Sequence, residues 1–251
     1  MTKIALVTGA SAGFGQAIVR QLVTDGYKVI ACARRFEKLQ SLASSLGSDK
    51  VYPLQMDVSV SDKIDAALEN LSQDWQKIDL LVNNAGLALG LDKAYEADFS
   101  DWLTMINTNI IGLTYLTRQL LPQMVKRNSG MIINLGSTAG TIPYPGANVY
   151  GASKAFVKQF SLNLRADLAG TKIRVTNIEP GLCEGTEFSN VRFKGDDERA
   201  EKLYEGAHAI TSEDIANTVS WVASQPEHVN INRIEIMPVS QTFGPQPVYR
   251  D

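Results

Sequence analysis

Two cysteines and two histidines in 251 residues leave little material for a disulfide framework or a metal centre. Cys32 and Cys183 have no CxxC spacing and read as reduced thiols. His208 and His228 stand far apart in the chain, so no metal site is expected. Long apolar runs are missing as well: none reaches the roughly 18 to 20 residues needed to cross a bilayer. The opening stretch, MTKIALVTGA, runs from a short apolar segment straight into a glycine, without the longer apolar core and cleavage site of a secretion signal. Excess charge is also lacking. A net charge of −3 and a pI near 5.5 argue against nucleic acid or a membrane surface as partner. What remains, 44% apolar and 20% charged residues, is the composition of a soluble globular protein. A cytoplasmic, metal-independent protein is the expectation.

The chain alternates short β-branched runs with amphipathic stretches. Strands are predicted at 3–8, 28–33, 50–56, 78–83, 130–136, 173–179 and 233–237, and helices at 14–25, 37–46, 63–75, 102–126, 149–168 and 212–224. Gly26 suits the end of the first helix, and Ser212 or Thr211 with Glu213 suits the start of the last. Strands that read as continuous apolar runs between helices imply a parallel sheet covered on both faces. The expected fold is therefore α/β, a single doubly wound Rossmann domain over 1–251 with a seven-stranded parallel sheet. Residues 185–207, GTEFSNVRFKGDDERAEKLYEGA, break the alternation as a long polar insertion, a lid or a disordered loop. The proline-rich tail at about 242–251 is either frayed or an arm on a neighbouring subunit.

TGASAGFG, residues 8–15, follows the first predicted strand and opens the first helix. Gly9, Gly13 and Gly15 permit a tight turn and close approach of a ligand, and the helix N-terminus presents unpaired N–H groups to a pyrophosphate. Ser11 and Phe14 lie in the same turn and are assigned to the cofactor with it. The spacing is G-x-x-x-G-x-G, so the generic G-x-G-x-x-G fingerprint is not strictly met. At the end of the second strand, where an acid would accept from the ribose 2′-hydroxyl of NAD, the chain carries Arg34 and Arg35. Arginine suits a 2′-phosphate as a charge-assisted donor, which points to NADP rather than NAD.

Tyr150 and Lys154 in VYGASKAF lie four residues apart and share one face of a helix. In chain order, TGASAGFG, LQMDVS, NNAG, NTNIIG, GSTAG, YGASK and EPG together resemble the short-chain dehydrogenase/reductase family over nearly the whole chain. The resemblance implies that Asp57 and Val58 flank the adenine, with Asp57 bonding its amino group. Asn83, Ala85 and Gly86 would support the strand beside the ribose and nicotinamide, although Asn83 and Asn84 could also simply cap a strand. Asn109, Ser137, Tyr150 and Lys154 would form a catalytic tetrad, with Pro180 and Gly181 bordering the nicotinamide. Thr186 falls one residue later than the commonest family spacing, so its contact with the carboxamide is less secure.

Closer still, LVNNAGLALG, INLGSTAG, VYGASKAFVKQFSLNLR, EPGL and GTEFSNVRFKGD are similar to the NADP-dependent 3-hydroxy acid dehydrogenases. Those enzymes act on L-serine and L-allo-threonine and reduce malonic semialdehyde; the resemblance also implies a homotetramer. Tyr150 would then be the base in oxidation and the acid in reduction, with Lys154 favouring its phenolate. Ser137 would hold the substrate oxygen, and Asn109 would pass protons to solvent through water and Lys154. A substrate carboxylate needs a cation, and Arg192 in the lid is the first choice. The same Arg192 could instead be a solvated charge paired with Asp196 or Asp197. Phe188 and Phe193 could close over the substrate or pack the lid. Two other functions stand beside this one: a carbonyl reductase of neutral ketones or aldehydes, and a non-catalytic NADP-binding regulator.

Overall fold

The structure is a computed structural model and describes residues 2–202 and 204–243, those at 199–201 by their backbone. Its centre is a parallel sheet of β1 (Ile4–Thr8), β2 (Lys28–Ala33), β3 (Val51–Gln55), β4 (Ile78–Asn83), β5 (Gly130–Leu135), β6 (Ile173–Pro180) and β7 (Arg233–Ile236). The strand order is β3-β2-β1-β4-β5-β6-β7, and every neighbouring pair is parallel. The expected seven-stranded Rossmann sheet is therefore observed, each strand within one residue of its predicted ends.

Alternation along each strand divides the core between two faces. Ala5 and Val7 of β1 point to the side covered by α1 (Gly13–Thr24), α2 (Phe36–Leu46) and α9 (Ser212–Ser224). Ile4 and Leu6 point to the other, covered by α3 (Ser61–Glu69), α5 (Leu113–Lys126) and α6 (Asn148–Asp167). All five residues of β1 are buried, as two covered faces require. Full burial of one leucine or isoleucine side chain stabilises the fold by about 1.5–3 kcal/mol, so this apolar strand is fixed at the centre.

Three helical expectations need correction. The helix predicted at 63–75 is α3 followed by a separate 3₁₀ turn, Gln73–Trp75, which tucks Trp75 against Tyr52 at 5.4 Å. The helix predicted at 102–126 starts earlier, as α4 (Phe99–Ile106), capped by Asp98 accepting from Ser100 N at 2.8 Å. It then widens into a π-helical turn at Asn107–Gly112 before α5. At α9 the N-cap is Thr211, and its capping-box partner is Asp214 rather than Glu213. The insertion contains two short helices, α7 (Phe188–Arg192) and α8 (Asp197–Lys202). From residue 244 onward the expected tail lies outside the described residues. Among the described residues no helix is long and apolar enough to cross a membrane.

Candidate active site

Strand order reverses about β1, with β2 on one side and β4 on the other, and such a switch point opens a crevice at the carboxyl ends of the strands. The sequence-predicted residues gather along that edge. The glycine turn follows β1, Arg34 and Arg35 follow β2, Asp57 follows β3, Ala85 and Gly86 follow β4, Ser137 follows β5, and Pro180 closes β6.

The glycine turn is built for close approach. A Cβ on Gly15 would lie 2.2 Å from the Gly9 carbonyl oxygen, and one on Gly9, where φ is +68°, 2.8 Å from Asn84 Nδ2. Ala12 is the N-cap of α1 and offers no side-chain acceptor, so the first-turn N–H groups keep no capping partner from it. That uncapped helix start and glycine cradle fit a dinucleotide pyrophosphate. Thr8 and Asn84, which sequence reasoning missed as a pair, brace the turn. Thr8 Oγ1 accepts from Asn84 N and Ala85 N at 3.0 and 2.9 Å, and Asn84 Nδ2 donates to Thr8 O at 2.8 Å. Phe14 packs its ring on the core beside α1. Asn83 faces inward: its amide donates to Thr117 and Asn134 at 3.0 and 2.8 Å, joining β4 to α5 and β5 rather than lining the crevice.

Arg35 Nε and Nη2 donate to Ser11 Oγ at 3.2 and 2.9 Å, which aims the guanidinium at the glycine turn. This cationic fork fits a phosphate on the adenosine ribose. Arg34 is exposed beside it. Asp57 Oδ1 accepts from Ser59 N and Oγ at 3.0 and 2.7 Å. Partial burial opposes its ionisation, yet those bonds and the Arg34 and Lys63 charges outweigh it and hold the carboxyl below its usual range. Val58 comes next and packs its side chain against the core.

Tyr150 and Lys154 sit one turn apart on α6, both buried. Lys154 Nζ donates to Leu135 O at 2.8 Å and lies 5.9 Å from the Tyr150 ring centroid. Burial lowers the Lys154 pKa to about 8. Burial also pushes the Tyr150 phenol upward, while the Ser137 hydroxyl and the Arg192 charge pull it back. Ser137 caps a 3₁₀ turn, its Oγ accepting from Ala139 N at 3.1 Å. Asn109 lies in the π-helical turn and is 1% exposed. Its Oδ1 accepts from Leu87 N, and its Nδ2 donates to Leu87 O and Ser153 Oγ, at 2.9, 2.9 and 3.0 Å. Its amide thus pins the segment after β4 to α6. A Cβ on Gly86 would lie 3.3 Å from both Asn109 Oδ1 and Lys154 Nζ, so these three residues meet at one point.

The insertion folds over this constellation. Thr186 packs on the glycine turn, its Cβ and Cγ2 each 3.1 Å from where a Gly13 Cβ would stand. Phe188 tilts against Tyr150 with ring centroids 5.7 Å apart. Arg192 is 9% exposed, which corrects the picture of a solvated lid charge. Its guanidinium stands 5.6 Å from the Tyr150 ring centroid, and it donates to Gly90 O and Tyr144 Oη at 3.2 and 3.0 Å. Asp197 instead accepts from Asn190. Tyr144 carried no signal in the sequence. Gly181, after Pro180, faces Gln241, whose Oε1 would lie 2.3 Å from a Gly181 Cβ and accepts from Leu182 N at 2.7 Å. Beneath them Glu179, fully buried, receives both arms of Arg233 at 2.7 Å and Asn177 Nδ2 at 2.7 Å.

A Rossmann switch-point crevice, a pyrophosphate-type cradle and a buried tyrosine–lysine pair define a dinucleotide-dependent oxidoreductase. The family model for short chain dehydrogenases matches residues 3–197, and the chain belongs to that family. It is 60% identical, over 100% of this chain and 99% of the other, to a probable NADP-dependent dehydrogenase of Haemophilus influenzae. It is 58% identical to the NADP-dependent 3-hydroxy acid dehydrogenase YdfG of Escherichia coli strain K12, covering 98% of this chain and 99% of that one. The solved closed form of a serine dehydrogenase complexed with NADP+ superposes with a TM-score of 0.97 at 58% identity, covering 99% of this chain and 100% of that one.

Proposed function

We propose that this chain is an NADP-dependent dehydrogenase that interconverts the 3-hydroxyl and 3-carbonyl of small 3-hydroxy acids, such as L-serine, L-allo-threonine or 3-hydroxypropionate. The observation that carries the substrate class is Arg192, a cation buried in the lid and 5.6 Å from the Tyr150 ring centroid. It donates to a backbone carbonyl and a phenol oxygen, both neutral, and its planar fork suits a carboxylate. A cation so placed has no evident use toward a neutral ketone.

NADP is held by the glycine cradle and α1 N-terminus at its pyrophosphate, by Arg34, Arg35 and Ser11 at its 2′-phosphate, and by Asp57 and Val58 at its adenine. Ala85, Gly86, Pro180, Gly181 and Thr186 line the path to the nicotinamide. Bound NADP+ supplies the hydride acceptor and a positive ring beside the site. Tyr150 Oη takes the proton of the substrate hydroxyl in oxidation and returns it in reduction. Ser137 Oγ orients the substrate oxygen toward Tyr150 and favours the phenolate by hydrogen bonding. Arg192 anchors the carboxylate and assists ionisation of Tyr150 by its charge. Lys154 adds a second cation one turn away, and Asn109 holds the segment after β4 in place around both. Phe188 packs on Tyr150 and excludes water from that side.

The reading extends to a cytoplasmic homotetramer. Phe99, Leu103, Ile111 and Val125, exposed along 99–126, and Trp221 on α9 are apolar surface that assembly would cover. Tyr150→Phe tests the chemistry: turnover should be abolished while NADPH binding, followed by its fluorescence, is retained. A robustly active phenylalanine variant would sink the assignment.

A further inference from the structure

The cations expected to meet a 2′-phosphate already hold an anion of the chain itself. Glu187, the residue preceding α7, accepts from Arg35 Nη1 and Nη2 at 3.0 and 2.7 Å and from Lys38 Nζ at 3.0 Å. A lid carboxylate thus occupies a planar fork that equally suits phosphate oxygens. The Arg35 and Lys38 hydrogen bonds hold the Glu187 carboxyl at about 2, so it is charged at neutral pH. All three side chains are close to half exposed, at 45, 48 and 47%, and a ligand reaches them without disturbing the core. The neighbours of Glu187 connect this cluster to the reacting end: Thr186 packs on the glycine turn, and Phe188 packs on Tyr150.

We propose that Glu187 is a cofactor-specificity residue whose carboxylate competes with the adenosine 2′-phosphate for Arg35 and Lys38. A phosphorylated cofactor then frees the start of α7, whereas an unphosphorylated one leaves it tethered. The inference rests on the reading of Arg35 as a 2′-phosphate ligand. A phosphate monoester carries about −1.5 to −2 at neutral pH against the single charge of Glu187, so the fork favours the phosphate and the like-charged carboxylate moves away.

Calorimetric titration of the wild type, Glu187→Gln and Arg35→Ala with NADP+, NAD+, adenosine 2′,5′-bisphosphate and 5′-AMP tests this, together with hydrogen exchange of the amides at 186–192. Glu187→Gln should bind NADP+ and the bisphosphate roughly threefold to tenfold more tightly, the scale set by two exposed ion pairs, and leave NAD+ and AMP unchanged. In the wild type the bisphosphate, but not AMP, should speed exchange at 186–192; in Glu187→Gln exchange should be fast with either. Unchanged or weaker NADP+ binding by Glu187→Gln, equal tightening toward NAD+, or lid exchange indifferent to the 2′-phosphate overturns the inference. Arg35→Ala separates the two readings: if it keeps the preference for NADP+, the Arg35 assignment fails; if it loses that preference while Glu187→Gln changes nothing, only the role of Glu187 fails.

Discussion

Arg192→Met should separate substrates by charge. Arg192 donates to Gly90 O and Tyr144 Oη and stands 5.4 and 5.6 Å from the ring centroids of Tyr144 and Tyr150. Losing those contacts loosens the lid for every substrate alike, so a fall in activity alone says little. The informative quantity is a ratio. A charge-assisted hydrogen bond to a carboxylate contributes about 1.5–3 kcal/mol, which is roughly 10- to 150-fold in binding. Steady-state kcat/KM for L-serine should therefore fall by that additional factor relative to an uncharged ketone, mainly through KM. Arg192→Lys, which keeps the charge but loses the fork, should fall between the two. Because the Arg192 charge lowers the Tyr150 pKa, and oxidation needs Tyr150 deprotonated, the methionine variant should also move the ascending, low-pH limb of the oxidation profile to higher pH. Equal losses on serine and on the neutral ketone would refute the carboxylate role and leave Arg192 as lid packing.

Two further outcomes concern stability. Burial holds the Lys154 pKa near 8, below its unfolded value of about 10.4. Between about pH 8 and 10 the unfolded chain binds the extra proton, so this residue makes stability rise with pH across that window; denaturant melts of Lys154→Met should lose that slope. Arg233→Met removes the cation from the buried Glu179 carboxylate and leaves it the hydrogen bond from Asn177 Nδ2. A broken buried pair costs about 3–5 kcal/mol, reduced here to about 2 because water reaches Arg233, for a fall in Tm of about 4–8 °C. Adding Glu179→Met should recover much of that loss, and a double variant no better than the single would argue against a stranded charge.

The sheet was legible because each strand is apolar on both faces, and apolar runs separated by amphipathic stretches leave little choice of architecture. The single helix expected at 102–126, which is interrupted by a π-helical turn, shows where periodicity stops being informative. Gly112 sits so close to β3's following loop that a Cβ there would lie 2.3 Å from Val58 O, a tertiary approach that amphipathic spacing cannot register. The glycine turn, Tyr150 and Lys154 could be read from local spacing, since the turn and the helix themselves bring those residues together. Tyr144 and Glu187 could not. Tyr144 meets Arg192 across 48 residues and Glu187 meets Arg35 across 152, contacts set by how the insertion folds back on the sheet. Asn83 and Asn109 were visible as residues, but their amides turn into the protein, a direction that sequence does not carry.

The activity proposed for this short-chain dehydrogenase is NADP-dependent oxidation of small 3-hydroxy acids anchored by a lid cation. It is tested most directly by NADPH formation or consumption over one panel: L-serine, L-allo-threonine, 3-hydroxyisobutyrate, malonic semialdehyde and an uncharged ketone. Turnover of the acids with NADP(H), well above the ketone and well above the same reactions with NAD(H), is the predicted result. Activity confined to the uncharged ketone would contradict it.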